Sequence, residues 1–145
     1  MTAIEEPMMG RFSVEIELAN NEDLTRAKDG TIAPDRVRRV RIRGVVDSGA
    51  TRLVIPQSAA DHLGLETLGT TKVRYADGRT AERPIARNVQ LSLLGRESVF
   101  NAIVEPDRES ALIGAIVMED LDLLIDCTTQ QLVPRDPKQI ISEVE

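Results

Sequence analysis

The chain has 145 residues, the length of one domain with a single core, and 41% of them are hydrophobic. Aromatic residues make up only 2%, namely Phe12, Tyr75 and Phe100, so the core has to be aliphatic and a base- or sugar-stacking surface has too few rings. A formal net charge of −6 argues weakly against nucleic-acid and anionic-membrane partners, and one cysteine (Cys127) with one histidine (His62) allows no intrachain disulfide and no Cys-based metal site.

In chain order, Met1 to Gly10 carries Glu5 and Glu6 without a basic-then-apolar pattern, so no signal peptide is expected. No apolar run approaches a membrane span, and a soluble, cytoplasmic protein is expected. Phe12, Val14, Ile16 and Leu18 alternate with Ser13, Glu15 and Glu17, which predicts a half-buried strand. Asn20 to Pro34 is polar and reads as a long mobile connection. From Val37 to Val46 strand character returns. Arg39, Arg41 and Arg43 alternate there with Val40 and Ile42, and with Arg36 and Arg38 they form a local basic stretch. Its expected place is the solvated face of the strand, not a phosphate site.

Asp47 to Thr51 is then a turn, and Leu53-Val54-Ile55 a short buried strand closed by Pro56. A short helix is predicted over Ser58 to Leu63, with Ser58 as its cap, Asp61 as the box partner and Gly64 as its end. His62 lies on that helix and is expected at the surface. Val73 and Tyr75 alternate with Lys72 and Arg74 before Asp77-Gly78, a hairpin-turn signal. The return strand runs over 80–85, and a separate strand carries Val89, Leu91 and Leu93. Gly95-Arg96 turns into a strand over 99–104. After a loop at 106–110, Ala111-Leu112-Ile113-Gly114 is apolar, 116–121 is helical, and strands follow at 123–125 and 131–133. Cys127 is expected to be small and partly buried. Many short strands at close spacing predict a mostly-β barrel or sandwich. The charged tail, 135–145, is expected to be partly disordered or weakly helical.

Alone, Asp47-Ser48-Gly49 is a weak signal, since these are ordinary turn residues. Its setting is more specific. Val45 and Val46 precede it, Ala50 and Thr51 follow, and an apolar strand comes next. A carboxylate held between two buried strand ends is expected to be poorly solvated, and so tunable. The Asp-Gly hairpin follows 30 residues after Asp47, and the Leu112-Ile113-Gly114 segment leads into a helix and the strand Leu123-Leu124-Ile125-Asp126.

This ordered set resembles the retropepsin-like (clan AA) aspartic proteases, and within them the small bacterial members. The resemblance covers residues 11–134 and leaves 1–10 as an N-terminal extension and 135–145 as a tail. It implies a closed β-barrel or sandwich with one or two short helices, acting as a homodimer without cofactor or metal. Carried over, Asp47 is the catalytic aspartate, and Ser48 bonds across the dimer axis beneath it. Gly49 allows close backbone approach, with Ala50 and Thr51 completing the loop. Tyr75, Ala76, Asp77 and Gly78 form the flap over a peptide substrate, and Leu112, Ile113 and Gly114 pack beside the active loop. The chain departs from viral members at Ile116, where a polar residue is usual, and in a flap with a single glycine.

Chemistry points the same way. Hydrolysing an amide needs a base for water and an acid for the carbonyl, and two carboxyls sharing a proton supply both. The chain holds one Asp-Ser-Gly, so a pair requires two chains. The expected function is a homodimeric aspartic endopeptidase. The alternative is a catalytically silent dimerisation or peptide-binding module of the same fold. A third reading, an unrelated barrel in which Asp47 is only a turn residue, predicts a monomer.

Overall fold

Ile16 and Leu18 point inward from the first strand while Ser13 and Glu15 face solvent, and this alternation begins a barrel. The computed structural model describes residues 11–142 and Val144; the expected extension over 1–10 lies outside the described residues. The strands are β1 (Arg11–Asn20), β2 (Arg39–Asp47), β3 (Val54–Pro56), β4 (Thr67–Arg74), β5 (Thr80–Leu93), β6 (Arg96–Glu105), β7 (Ala111–Ile113), β8 (Leu123–Asp126) and β9 (Gln131–Pro134). The helices are α1 (Asn21–Lys28), α2 (Gln57–Leu63) and α3 (Ala115–Leu121), with a single 3-10 turn at Pro34–Arg36.

The main sheet runs β1-β2-β7-β3-β6-β5-β4, and β1 also pairs with β5. That extra pairing, Glu17 to Asn20 against Val89 to Ser92, closes six strands into a barrel and removes their edges. β4 stays outside the closure, hung on β5 as a projecting hairpin. The hairpin of β8 and β9 forms a separate two-stranded sheet. Inside the barrel Leu18, Val46, Ile55, Leu63, Val89, Leu91, Ile113 and Val117 are fully buried. Phe12 and Phe100 only pack against this cluster from its margin, so the core is aliphatic as composition demands. Among the described residues, no helix is long and apolar enough to cross a membrane.

The polar stretch expected as a mobile connection is instead ordered as α1 and the 3-10 turn. Its helix is built from ends rather than from an apolar face. Asn20 caps it by accepting from the Asp23 amide at 3.0 Å, Glu22 and Asp23 sit in the first turn, and Arg26 and Lys28 in the last. The Asn20 side chain also donates to the Leu63 carbonyl at 2.8 Å, which ties the helix start to α2. Asp23 is buried and grips Arg38, with Nε to Oδ2 at 2.8 Å and Nη2 to Oδ1 at 3.0 Å. Capping and a long-range ion pair do not register in hydrophobic periodicity, so the segment looks like a loop.

The Arg38 hydrogen bonds hold the Asp23 carboxyl below its ordinary range, against the upward push of burial. A depressed folded value means this contribution is complete above the unfolded pKa of about 4 and is lost as pH falls through the folded one. Arg38→Met should cost about 2 kcal/mol at neutral pH, because a buried carboxylate loses its partner. Chemical denaturation of both proteins at neutral and acidic pH checks this; the difference should shrink once Asp23 is protonated.

Other expectations are corrected in detail. Among the described residues there are three short α-helices, one more than the one or two expected. α2 starts at Gln57, one residue before Ser58; its N-cap is Pro56 without a side-chain bond, and Asp61 accepts from Gln57 instead. Gly64 ends α2 in the left-handed region, φ 62°, as expected. The strands predicted at 80–85 and 89–93 are one strand, β5, which shifts register between Ala86 and Val89, where Asn88 adopts φ 63°. Cys127 is exposed. The arginine stripe on β2 is solvated, with Arg41 and Arg39 reaching Glu15 and Glu17 on β1 at 3.8 and 3.9 Å. In the tail, the described residues 135–142 form turns and irregular chain, with no helix. Arg135 donates to Asp122 at 2.7 Å and Arg96 to Gln139 at 3.3 Å.

Candidate active site

β2 delivers Asp47 to the rim of the barrel. Val46 beneath it is fully buried, and β2 runs parallel to β7 there, Val45 beside Leu112 and Val46 beside Ile113. The chain turns immediately: the Ala50 amide donates to the Asp47 carbonyl at 3.0 Å, and the Gly49 amide to Asp47 Oδ1 at 2.9 Å. A side chain on Gly49 would stand 3.3 Å from that Oδ1, so glycine keeps the loop close to its own carboxylate. The loop is then clamped from the other side by the start of α3. The Ala115 amide donates to the Ala50 carbonyl and the Ile116 amide to the Thr51 carbonyl, both at 2.9 Å. Gly114 makes the clamp possible, because a Cβ there would lie 2.6 Å from the Thr51 carbonyl carbon and 2.7 Å from the Arg52 oxygen.

Leu112, Ile113 and Gly114 therefore lie against the Asp47 loop. Ser48 and Thr51 are exposed. Asp47 itself is half-buried, less enclosed than its position between two buried strand ends suggests. The turn carries the carboxylate outward past Val46, the last fully buried residue of β2.

Beside this loop lies a cleft of about 710 Å3. Its floor includes Val54, Ile103 and Leu112, one wall is the loop from Gly49 to Arg52, and the opposite wall is the β4–β5 hairpin from Lys72 to Arg83. Asp47 and Ser48 are not part of that lining, which begins at the next residue, Gly49. The hairpin turn is Tyr75-Ala76-Asp77-Gly78, with the Tyr75 amide bonded to the Arg79 carbonyl at 2.8 Å and Gly78 at φ 91°. The Asp77 charge at the tip is matched within the turn. Arg79 donates to it from its backbone at 3.0 Å and from Nε at 2.7 Å, and these bonds hold the Asp77 carboxyl below its ordinary range.

Arg83 and Glu105 join Tyr75 in a network that sequence reading missed. The Tyr75 hydroxyl donates to Glu105 Oε2 at 2.8 Å, and Arg83 Nε donates to Glu105 Oε1 at 2.9 Å and to the Tyr75 oxygen at 3.0 Å. The Arg79 and Arg83 guanidiniums also lie 5.4 and 5.9 Å from the centre of the Tyr75 ring. The hairpin is thus pinned to the end of β6. Parity gave no hint: on β6 the buried positions are Ala102 and Val104, while Glu105 lies on the opposite face with Ile103, the face that lines the cleft with Arg83.

Burial pushes the Tyr75 phenol upward, and its bond to Glu105 adds to this, while Arg83 pulls the other way. Tyr75 is the single tyrosine in a chain without tryptophan, so absorbance titration of phenolate reports it alone. The midpoint should lie above the ordinary phenol value of about 10. Glu105→Gln should lower it, and Arg83→Gln should raise it further. A Glu105→Gln midpoint equal to or above that of the wild type contradicts the network.

Comparison with known proteins adds context to this geometry. The family model described as aspartyl protease matches residues 31–119. No curated protein matches the chain. Among solved structures, the retroviral protease-like domain of Ddi1 from Leishmania major is similar, with a TM-score of 0.50 and 17% identity over 91% of this chain and 88% of that one. A retropepsin-like aspartic protease from Rickettsia conorii gives a TM-score of 0.44 and 19% identity over 83% of this chain and 91% of that one. At its level of identity the Leishmania major likeness is one of fold: the barrel is retropepsin-like.

Proposed function

Because the chain belongs to the aspartyl protease family, we propose that two copies of it form an aspartic endopeptidase whose reacting groups are Asp47 and the Asp47 of the second copy. One observation carries this reading. Asp47 stands half-buried on the barrel rim, and Gly49, two residues on, begins the lining of a cleft walled on its far side by the β4–β5 hairpin. A two-fold mate would bring a second, identical loop to that rim.

In that arrangement two carboxyls in contact cannot both ionise easily, so one holds a proton at working pH. The ionised member takes a proton from water as it attacks the peptide carbonyl, and the protonated member donates to the carbonyl oxygen. The first carboxyl then gives the proton it took from water to the leaving amine as the C–N bond breaks, and the second takes a proton back from a hydroxyl of the collapsing diol. The titration belongs to the pair rather than to either residue. An extended peptide would lie beneath the Tyr75–Gly78 hairpins, with main-chain hydrogen bonds supplying affinity. The Ala115 and Ile116 amides hold the loop so that the carboxylate keeps its place as the cleft fills.

Sedimentation of the full chain, with peptide cleavage followed by mass spectrometry from acidic to neutral pH, tests this. A dimer that cleaves supports the proposal. A strictly monomeric, inert chain sinks it, and an inert dimer leaves the silent peptide-binding module as the reading.

A further inference from the structure

The cleft is more positive than the chain that forms it. The whole sequence carries a net −6, yet six basic residues line the cleft against two acidic ones, Glu105 and Asp107. Glu105 is already engaged, by Arg83 at 2.9 Å and by the Tyr75 hydroxyl at 2.8 Å. Among the described residues, Arg52 on the loop wall and Lys72 and Arg74 on the hairpin wall have no ion-pair partner. Lys72 stands across the ladder from Glu82 without an ion pair to it.

We propose that the cleft selects acidic peptides, seating Glu or Asp side chains of an extended substrate between Arg52 on one wall and Lys72 and Arg74 on the other. The inference rests on the peptide-cleaving reading above and names its substrate class. The physical basis is a local cationic field in a concave site of a chain whose net charge is −6. Selection works in both directions: a basic peptide meets like charge at the cleft and is disfavoured. A nucleic acid would meet the same cations. The overall negative charge and the single aromatic ring lining the cleft, Tyr75, favour the peptide.

The test separates binding from turnover. Full-length Asp47→Asn protein is titrated with paired fluorescent peptides that differ only in Glu against Gln, at neutral pH and low salt. The expected result is about fivefold tighter binding per acidic position, from one partly exposed ion pair, and its disappearance near 1 M salt. The double substitution Arg52→Gln and Arg74→Gln should bring the ratio of Glu-peptide to Gln-peptide affinity close to one. Equal affinity for the pair, no peptide binding, or displacement of the acidic peptide by oligo-dT more readily than by unlabelled acidic peptide would overturn the inference. Failure of the two readings is distinguishable. A Glu preference in Asp47→Asn with no cleavage by the wild type retains acidic selection and removes the endopeptidase. Cleavage of both peptides with equal binding does the reverse.

Discussion

Asp47→Asn should abolish peptide hydrolysis, lowering kcat by about 10³-fold or more, while secondary structure and dimerisation stay unchanged. Asparagine is the informative replacement because it keeps the local turn. Its side-chain oxygen can still accept from the Gly49 amide, the bond seen at 2.9 Å, and the clamp from Ala115 and Ile116 uses backbone atoms alone. What it removes, on the proposed mechanism, is the group that takes a proton from water. In a two-fold dimer a single substitution removes both carboxyls, so neither base nor acid remains.

A mixing experiment sharpens the result. If one site is shared between two chains, a mixed dimer of wild type and Asp47→Asn is also impaired. After equal mixing and subunit exchange, activity should fall to about a quarter of that of the all-wild-type sample at the same total concentration, not to half. Activity that tracks the wild-type fraction linearly contradicts a shared site, and full activity in Asp47→Asn removes Asp47 from the chemistry.

Gly114→Ala is expected to be the most damaging small substitution in the fold. Its backbone is ordinary, with φ −95°, so the requirement is for space rather than for a left-handed conformation. An added Cβ would stand 2.6 Å from the Thr51 carbonyl carbon, 2.7 Å from the Arg52 oxygen and 2.8 Å from the Arg52 nitrogen. All three are backbone atoms, so no flexible side chain can move aside. Either the loop at 51–52 shifts or β7 withdraws from β2. An overpacking cost of about 3 kcal/mol is expected, which lowers Tm by about 6–12 °C for a domain of this size.

The same shift would displace the carbonyls that receive the α3 amides, so cleavage should fall even where the fold survives. Thermal unfolding and activity measured on one preparation check both effects. A Gly114→Ala protein with wild-type Tm and wild-type turnover would mean that the loop and β7 are not in the contact described.

Much of the site's scaffold is legible because its signals are local. The apolar pair Val45-Val46, the turn residues Asp47-Ser48-Gly49 and the next apolar strand are contiguous, and each carries its own propensity. The Asp77-Gly78 turn is legible for the same reason. Other parts were invisible. α1 reads as a loop because its stability comes from the Asn20 cap and from Asp23 meeting Arg38, 15 residues away. β5 reads as two strands because Asn88 interrupts the alternation while the ladder continues across a bulge.

By itself the sequence determined the aliphatic core, the strand periodicities, the order of loop, hairpin and glycine segment, and the one Asp-Ser-Gly whose carboxylate is proposed for the chemistry. These are properties of neighbouring residues, and chain order preserves them. Tertiary structure decided which of those pieces meet. β1 closes the barrel on β5, Gly114 leaves room for the loop at 51–52, Tyr75 is tied to Glu105 across 30 residues, and one charge sign dominates a cleft in a chain of the opposite sign. Such contacts depend on distances that only the closed sheet sets, since residues far apart in sequence carry no mark of their partners until folding brings them within hydrogen-bond or van der Waals reach.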